Sequence, residues 1–290
     1  MRHPVFECVV NISEGRDQAV LASLRQAAGP LLLDLHTDEH HHRSVFTLAG
    51  PPEAVFPAAQ SLASAALDRI DLRRHAGAHP RLGVVDVVPF VPFAPHGAPP
   101  RDLSGAVALR DAFAHFMGTM LGVPSFAYGP LPGGATRTLP EVRRHAFGAP
   151  ESGGLVPDVG PATPSPRSGA TAVGARCVLV AYNVWVSTLQ VARAVAPQVR
   201  SPWVRALGLA VGERAQVSCN LVDPVAFGPE PLYDAVATLV GQAGGFVEGA
   251  ELVGLIPAAV LAEVPESRWH QLGLGADLTV ESRLPGHLSP

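Results

Sequence analysis

At 290 residues, with 47% apolar and 16% charged side chains, the chain has the composition of a globular protein long enough to bury two cores. A net charge of −4 gives no support for a nucleic-acid surface, and all 21 basic residues are arginine, which excludes lysine Schiff-base chemistry and the lysine of a phosphate-binding loop. Anionic ligands are therefore left to guanidinium forks and backbone amides.

Cys8, Cys177 and Cys219 stand far apart in apolar runs, so neither a disulfide framework nor a zinc spacing can be made from them. The opening MRHPVFECVV lacks the apolar core of a signal peptide, and no apolar run reaches membrane-spanning length. The expectation is a cytoplasmic protein without membrane or nucleic-acid partners.

In chain order, Val5 to Val10 reads as a strand and residues 16–28 as a helix, with Ser13 as a candidate cap. Leu31 to Leu35 is a second strand, Thr37 to His42 a polar turn and Ser44 to Ala49 a third strand. Pro51 and Pro52 open an alanine-rich helix that runs to Ile70, and Val84 to Val91 is an apolar, β-branched strand. A helix over 102–121, a strand over 125–128 and a short helix over 141–146 follow. Residues 148–169 show no periodicity and are rich in Gly, Pro and Ser, the mark of a functional loop or a linker. Arg176 to Val186 then begins a second series: helix 188–199, strands 204–211 and 215–222, helix 231–243 and strand 247–256. The order strand, helix, strand, strand, helix, strand thus occurs twice. It predicts an α/β (α+β) protein of two ferredoxin-like βαββαβ subdomains, residues 1–170 and 171–290, each a mixed sheet with helices on one face, and a ligand cleft between them.

Polar chemistry concentrates in IDLRRHAGAHPRLGVVDVVPFVPF, Ile70 to Phe93, where a loop with two histidines runs directly into a buried strand. Pro80 fixes His79 in an extended conformation. Arg73, Arg74 and Arg81 place cations nearby, and neighbouring cations lower an imidazole pKa from its usual value of about 6.5, toward the neutral form that accepts a proton. That suits a general acid/base; a histidine that merely caps a strand fits the same residues.

The motifs ECVVNISEG, LLLDLHTDEHHHRSVFTLAGPPEAV, IDLRRHAGAHPRLGVVDVVPFVP, SGATAVGARCVLVAYNV, QVSCNL and ELVGLIP, in this order, resemble the formiminotransferase domain of the glutamate formimidoyltransferase family, from about Glu7 to Pro257. The resemblance implies two α/β subdomains, transfer of a formimidoyl group between N-formimidoyl-L-glutamate and tetrahydrofolate as co-substrate, no metal, and a homodimer acting on small molecules. It also implies that His79, in AHPRLG, is the catalytic histidine. Gly160, Pro161, Ala162, Thr163, Pro164, Ser165, Pro166, Arg167, Ser168 and Gly169 fall on the family's folate-binding segment. Asn11, Arg43, Arg176 and Asn183 fall on further cleft positions, and Arg81 joins Arg43 as a candidate grip for substrate carboxylates.

The chain departs from the family pattern at Ala78 and His36, where an acid is usual, and at His42 and Trp185, where Asn is usual. Two alternatives follow. One is a folate-binding relative that has lost catalysis. The other is a metal enzyme using His36, Asp38, His40 and His42, whose alternate spacing would put all four on one face of an extended run. Residues Gly129 to Gly134 read as a turn, Ser13, Ser165 and Ser218 lack a nucleophile elbow, and Arg143, Arg144 and His145 read as the charged face of a short helix.

Overall fold

The computed structural model describes residues 4–77, 81–94, 99–148 and 153–284. The chain forms two compact units, one of Met1–Phe93 with Pro100–Arg176, the other of Ala94–Pro99 with Cys177–Pro290.

The first unit begins with the predicted series: β1 (Val5–Ile12), α1 (Gln18–Ala28), β2 (Leu32–Asp38), β3 (Arg43–Gly50), α2 (Pro52–Arg69) and β4 (Val85–Phe93). These strands lie antiparallel in the order β2-β3-β1-β4, the arrangement expected of a βαββαβ unit. Alternation in β1 explains the layer: Phe6, Cys8, Val10 and Ile12 join Leu21 and Leu24 of α1 and Val55, Ala59, Leu62 and Ala66 of α2 in one core. Asp17, rather than Ser13, caps α1, its carboxylate accepting from the Ala19 and Val20 amides. Ser13 instead donates its hydroxyl to the Gly83 carbonyl at 2.8 Å.

The unit then continues with α3 (Ser104–His115), β5 (Ser125–Pro130), β6 (Thr136–Arg137), α4 (Leu139–His145) and β7 (Thr171–Ala175), which complete a seven-stranded sheet, β2-β3-β1-β4-β7-β5-β6. The predicted helix over 102–121 is α3 followed by a π-helical turn, Phe116–Met120, where a wider coil brings Gly118 against Val159 and Gly160. The strand expected from Arg176 to Val186 begins only at Val180, and a strand that was not predicted, Thr171–Ala175, precedes it. Thr171–Ala175 slots, parallel to both, between β4 and β5, and so carries the first unit to Arg176. A second correction concerns the layers. Helix α4 packs Val142 on the other face of this sheet, with Val87, Phe126, Tyr128 and Ala172, so the sheet carries helices on both faces.

The second unit is β8 (Val180–Val186), α5 (Leu189–Val195), β9 (Val204–Val211), β10 (Arg214–Leu221), α6 (Pro229–Gln242) and β11 (Val247–Val253), followed by α7 (Ala258–Leu261) and α8 (Val280–Arg283). Its sheet, β11-β8-β10-β9, is antiparallel throughout rather than mixed. One face packs against α5, α6 and α7. The buried Tyr182 hydroxyl donates to the Leu272 carbonyl at 2.7 Å and ties the C-terminal segment to that core.

Candidate active site

His79, with Ala78 and Pro80, lies outside the described residues. The chain on either side of it is described, and every part of it is held. Leu72 donates its amide to the Arg167 carbonyl at 3.0 Å, and Val84 donates to the Ser168 carbonyl at 2.9 Å. Ala170 donates to the Leu82 carbonyl at 3.0 Å. Both ends of the segment that contains His79 are therefore stitched, backbone to backbone, to residues 167–170 of the predicted folate-binding stretch. Glycine makes that approach possible. A Cβ on Gly83 would lie 2.2 Å from the Ala170 carbonyl oxygen, and one on Gly169, which has φ +67°, would lie 2.3 Å from that of Leu82. Residues 167–169 are therefore fixed by their own backbone rather than forming a free linker.

Within the stretch, Gly160 (φ +96°) meets the backbone of Gly118 and Val123, while Ser165 accepts the Gly169 amide through its carbonyl. Arg167 turns its guanidinium to the Leu67 and Asp68 carbonyls at the C-terminal end of α2, a favourable place for a cation.

A charge cluster centres on Asp86 of β4. Asp86 is completely buried in β4, and its carboxylate accepts from Arg43 Nη1 at 2.6 Å, Arg143 Nη2 at 2.7 Å and the Leu82 amide at 2.7 Å. Burial opposes the carboxylate charge, but the two guanidiniums and the amide outweigh it and hold Asp86 below the usual carboxylate range. Arg43 directs its remaining fork, Nε and Nη2, to Asn11 Oδ1 at 3.1 and 2.6 Å. Asp86 and Arg143 were both absent from the sequence-based set of candidates. The signal for Asp86 was present, since a lone acid inside an otherwise apolar strand must find a cation; nothing in the sequence named Arg143 as that cation.

The other candidates are distributed as follows. Arg81 donates to the Gly77 carbonyl at 2.6 Å and so braces the segment from its far end. Arg73 is exposed and turned to Asp71 at 2.5 Å. Arg176, just past β7, lies against the buried Tyr128 hydroxyl, whose pKa burial raises and the guanidinium partly restores; the Tyr128 ring sits over Gly174, where a Cβ has no room. Asn183 belongs to β8 of the second unit, with Nδ2 3.5 Å from Glu251 Oε2. On the same strand the Trp185 ring carries the Arg214 guanidinium 4.1 Å above its centre.

The alternate histidines do not share a face. Strand β2 ends at Asp38, which accepts the His41 amide and ring Nδ1 at 2.8 and 2.6 Å, and His42, at φ +49°, turns its ring toward Glu14. Among the described residues no group of three or more His, Cys, Asp or Glu side chains could hold a metal ion. Nor, among them, is any helix long and apolar enough to cross a membrane.

Residues 5–176 match the family described as formiminotransferase domain, N-terminal subdomain. Glutamate formimidoyltransferase from Streptococcus pyogenes serotype M1 is 36% identical over 288 residues, covering 90% of this chain and 92% of that protein. The Thermoplasma acidophilum protein of the same name is 30% identical, with 90% of each chain covered. Formimidoyltransferase-cyclodeaminase from Rattus norvegicus is 34% identical over 89% of this chain, which spans about half, 51%, of that relative. With residues 5–176 matching its N-terminal subdomain and the Streptococcus and Thermoplasma relatives covered over about nine-tenths of their length, the chain belongs to the formiminotransferase family.

Proposed function

We propose that the chain transfers a formimidoyl group between N-formimidoyl-L-glutamate and tetrahydrofolate. The reaction is attack by an amine of one substrate on the amidine carbon of the other. It forms a tetrahedral intermediate that collapses as the second amine leaves. The attacking amine must lose a proton and the leaving amine must gain one. His79 performs both transfers in this reading, a contribution of about 10²- to 10⁴-fold.

The observation that carries the reading is the backbone stitching of residues 167–170 to Leu72, Leu82 and Val84, which ties the folate-binding stretch to the segment that contains the catalytic histidine. The guanidiniums of Arg43 and Arg143, gathered on Asp86, support it too, because both substrates carry carboxylates that arginine recognises. Gly160 to Gly169 serve the folate, and Asn11, Arg43, Arg81, Arg176 and Asn183 the substrates. Residence in the cytoplasm and assembly as a homodimer belong to the same proposal.

The test is steady-state transfer from formimidoylglutamate to tetrahydrofolate by the purified full chain, beside a His79→Ala variant. Turnover that falls by at least a hundredfold in the variant, with folding unchanged, is expected. A parent that binds folate but transfers nothing would overturn the proposal.

A further inference from the structure

His42 occupies a backbone conformation, φ +49°, that a residue with a Cβ adopts only when its surroundings hold it there. Its surroundings are specific. Ring Nδ1 lies 3.0 Å from the Ala76 carbonyl oxygen and ring Nε2 lies 3.0 Å from Glu14 Oε1. Neither oxygen can donate, since one is a carbonyl and the other a carboxylate that already receives the Gly15, Arg16 and Asp17 amides at 2.8–3.0 Å. Both ring nitrogens of His42 must then carry hydrogen, which makes the ring an imidazolium. Glu14 is suited to face it: burial disfavours its charge, but the Asp17 and Arg16 amides and His42 together hold its carboxyl below the usual range.

The ring also stacks on His75, with centroids 3.8 Å apart and planes 12° from parallel. His75 Nε2 donates to the His42 carbonyl at 2.8 Å, a closer contact than the 3.3 Å to Arg81 Nη1. Among the described residues its buried Nδ1 has no hydrogen-bond partner, as fits a neutral ring stacked on a charged one. Beyond Ala76 the chain passes so close to the hairpin turn that a Cβ on Gly77 would lie 2.5 Å from the His41 carbonyl oxygen. Residues 75–77 are therefore gripped from the β2–β3 turn by a side chain, a backbone carbonyl and a ring stack, all of them supplied by His42.

We infer that His42 is a positioning residue for the transfer reaction: bridging Glu14 and the Ala76 carbonyl as an imidazolium, it fixes the chain that leads into His79. The inference rests on the function proposed above and deepens it, since it assigns a role to a side chain that touches no reacting atom.

The test compares the full chain with His42→Phe, which can stack but cannot bridge, and Glu14→Gln, which keeps the acceptor oxygen but removes its charge. Two quantities are read: steady-state constants for transfer, and amide hydrogen exchange of peptides covering residues 72–77 against peptides of the second unit. In His42→Phe, kcat falls about ten- to a hundredfold while KM for tetrahydrofolate stays within about twofold, the signature of misplacement rather than lost binding. Exchange in 72–77 quickens by at least about tenfold and the second unit is unchanged. Glu14→Gln moves both quantities in the same direction by a smaller factor, and it carries the test if His42→Phe does not fold. Parental kcat, or parental protection of 72–77, in a folded variant overturns the inference. A parent without turnover overturns the proposed function instead, while the exchange comparison still decides whether His42 holds the segment.

Discussion

Replacement of Asp86 by Asn removes a carboxylate that Arg43 and Arg143 share, and it does so without changing the size of the side chain. The acid is wholly buried, while the two arginine side chains are 16% and 22% exposed. Deleting one partner of a buried ion pair costs about 3–5 kcal/mol, because the survivor is left charged and poorly solvated. Water can reach both guanidiniums here, which sets the expectation near the lower limit, about 3 kcal/mol. For a unit of this size that corresponds to a fall in Tm of about 6–12 °C. Urea unfolding at neutral pH, with calorimetry beside it, measures the loss, and a double-mutant cycle with Arg143→Met should return a coupling of at least about 1 kcal/mol. The acid limb adds a check. Asp86 titrates lower when folded than when unfolded, so the network stabilises fully above the unfolded carboxyl pKa of about 4 and is lost as pH falls through the folded value. The gap between parent and variant must therefore close toward acid. A loss under about 1 kcal/mol at neutral pH, or a gap that widens in acid, would refute the ion-pair account.

Gly169→Ala forces a Cβ to 2.3 Å from the Leu82 carbonyl oxygen at a left-handed backbone position, so it should cost about 1–3 kcal/mol and weaken folate-analogue binding in titration calorimetry; parental affinity and stability would count against the stitched-loop geometry. Asp38 is held at a pKa of about 2, burial opposing and the His41 ring and amide prevailing, so, with solvent screening of this partly exposed pair, it contributes about 1 kcal/mol above pH 4 that disappears toward pH 2. Asp38→Asn should flatten that limb in acid unfolding, and an unchanged limb would remove the turn from the account. Tyr182→Phe leaves the Leu272 carbonyl without its 2.7 Å donor and should cost about 1–3 kcal/mol in the second unit, which denaturant titration followed by tryptophan fluorescence would report.

The doubled βαββαβ order was legible because apolar spacing in β1, α2 and the strands of the second unit carries the period of each element, and period survives without knowledge of the partner. What escaped depends on pairings far apart in the chain. Thr171–Ala175 was not predicted as a strand, since five apolar or small residues after a loop do not announce that they enter a sheet. Helix α4 looked like a charged surface element because Arg143 meets its acid 57 residues away. The composition of the 160s stretch fitted a functional loop and a linker alike, because its contacts run through carbonyls and amides, which every residue has and no composition reveals. The hold on residues 75–77 was not legible: His42 reads as one of a polar run until its backbone turns left-handed. The alternate spacing that suggested a metal face holds only while the chain stays extended, and β2 ends at Asp38.

The place of β7 bears on how the protein emerges during synthesis. Val87 in β4 and Ala172 in β7 are neighbours in the sheet, yet 85 residues separate them, and β5 has been made long before β7 arrives to fill the gap. Until residue 175 has left the ribosome, β4 and β5 each present an open edge toward the place their shared neighbour will take, so this half of the sheet cannot close progressively from its N-terminus. A fragment cut at 170 would keep both edges open permanently and should be prone to associate through them, whereas one extended to Arg176 seals them with a single five-residue strand.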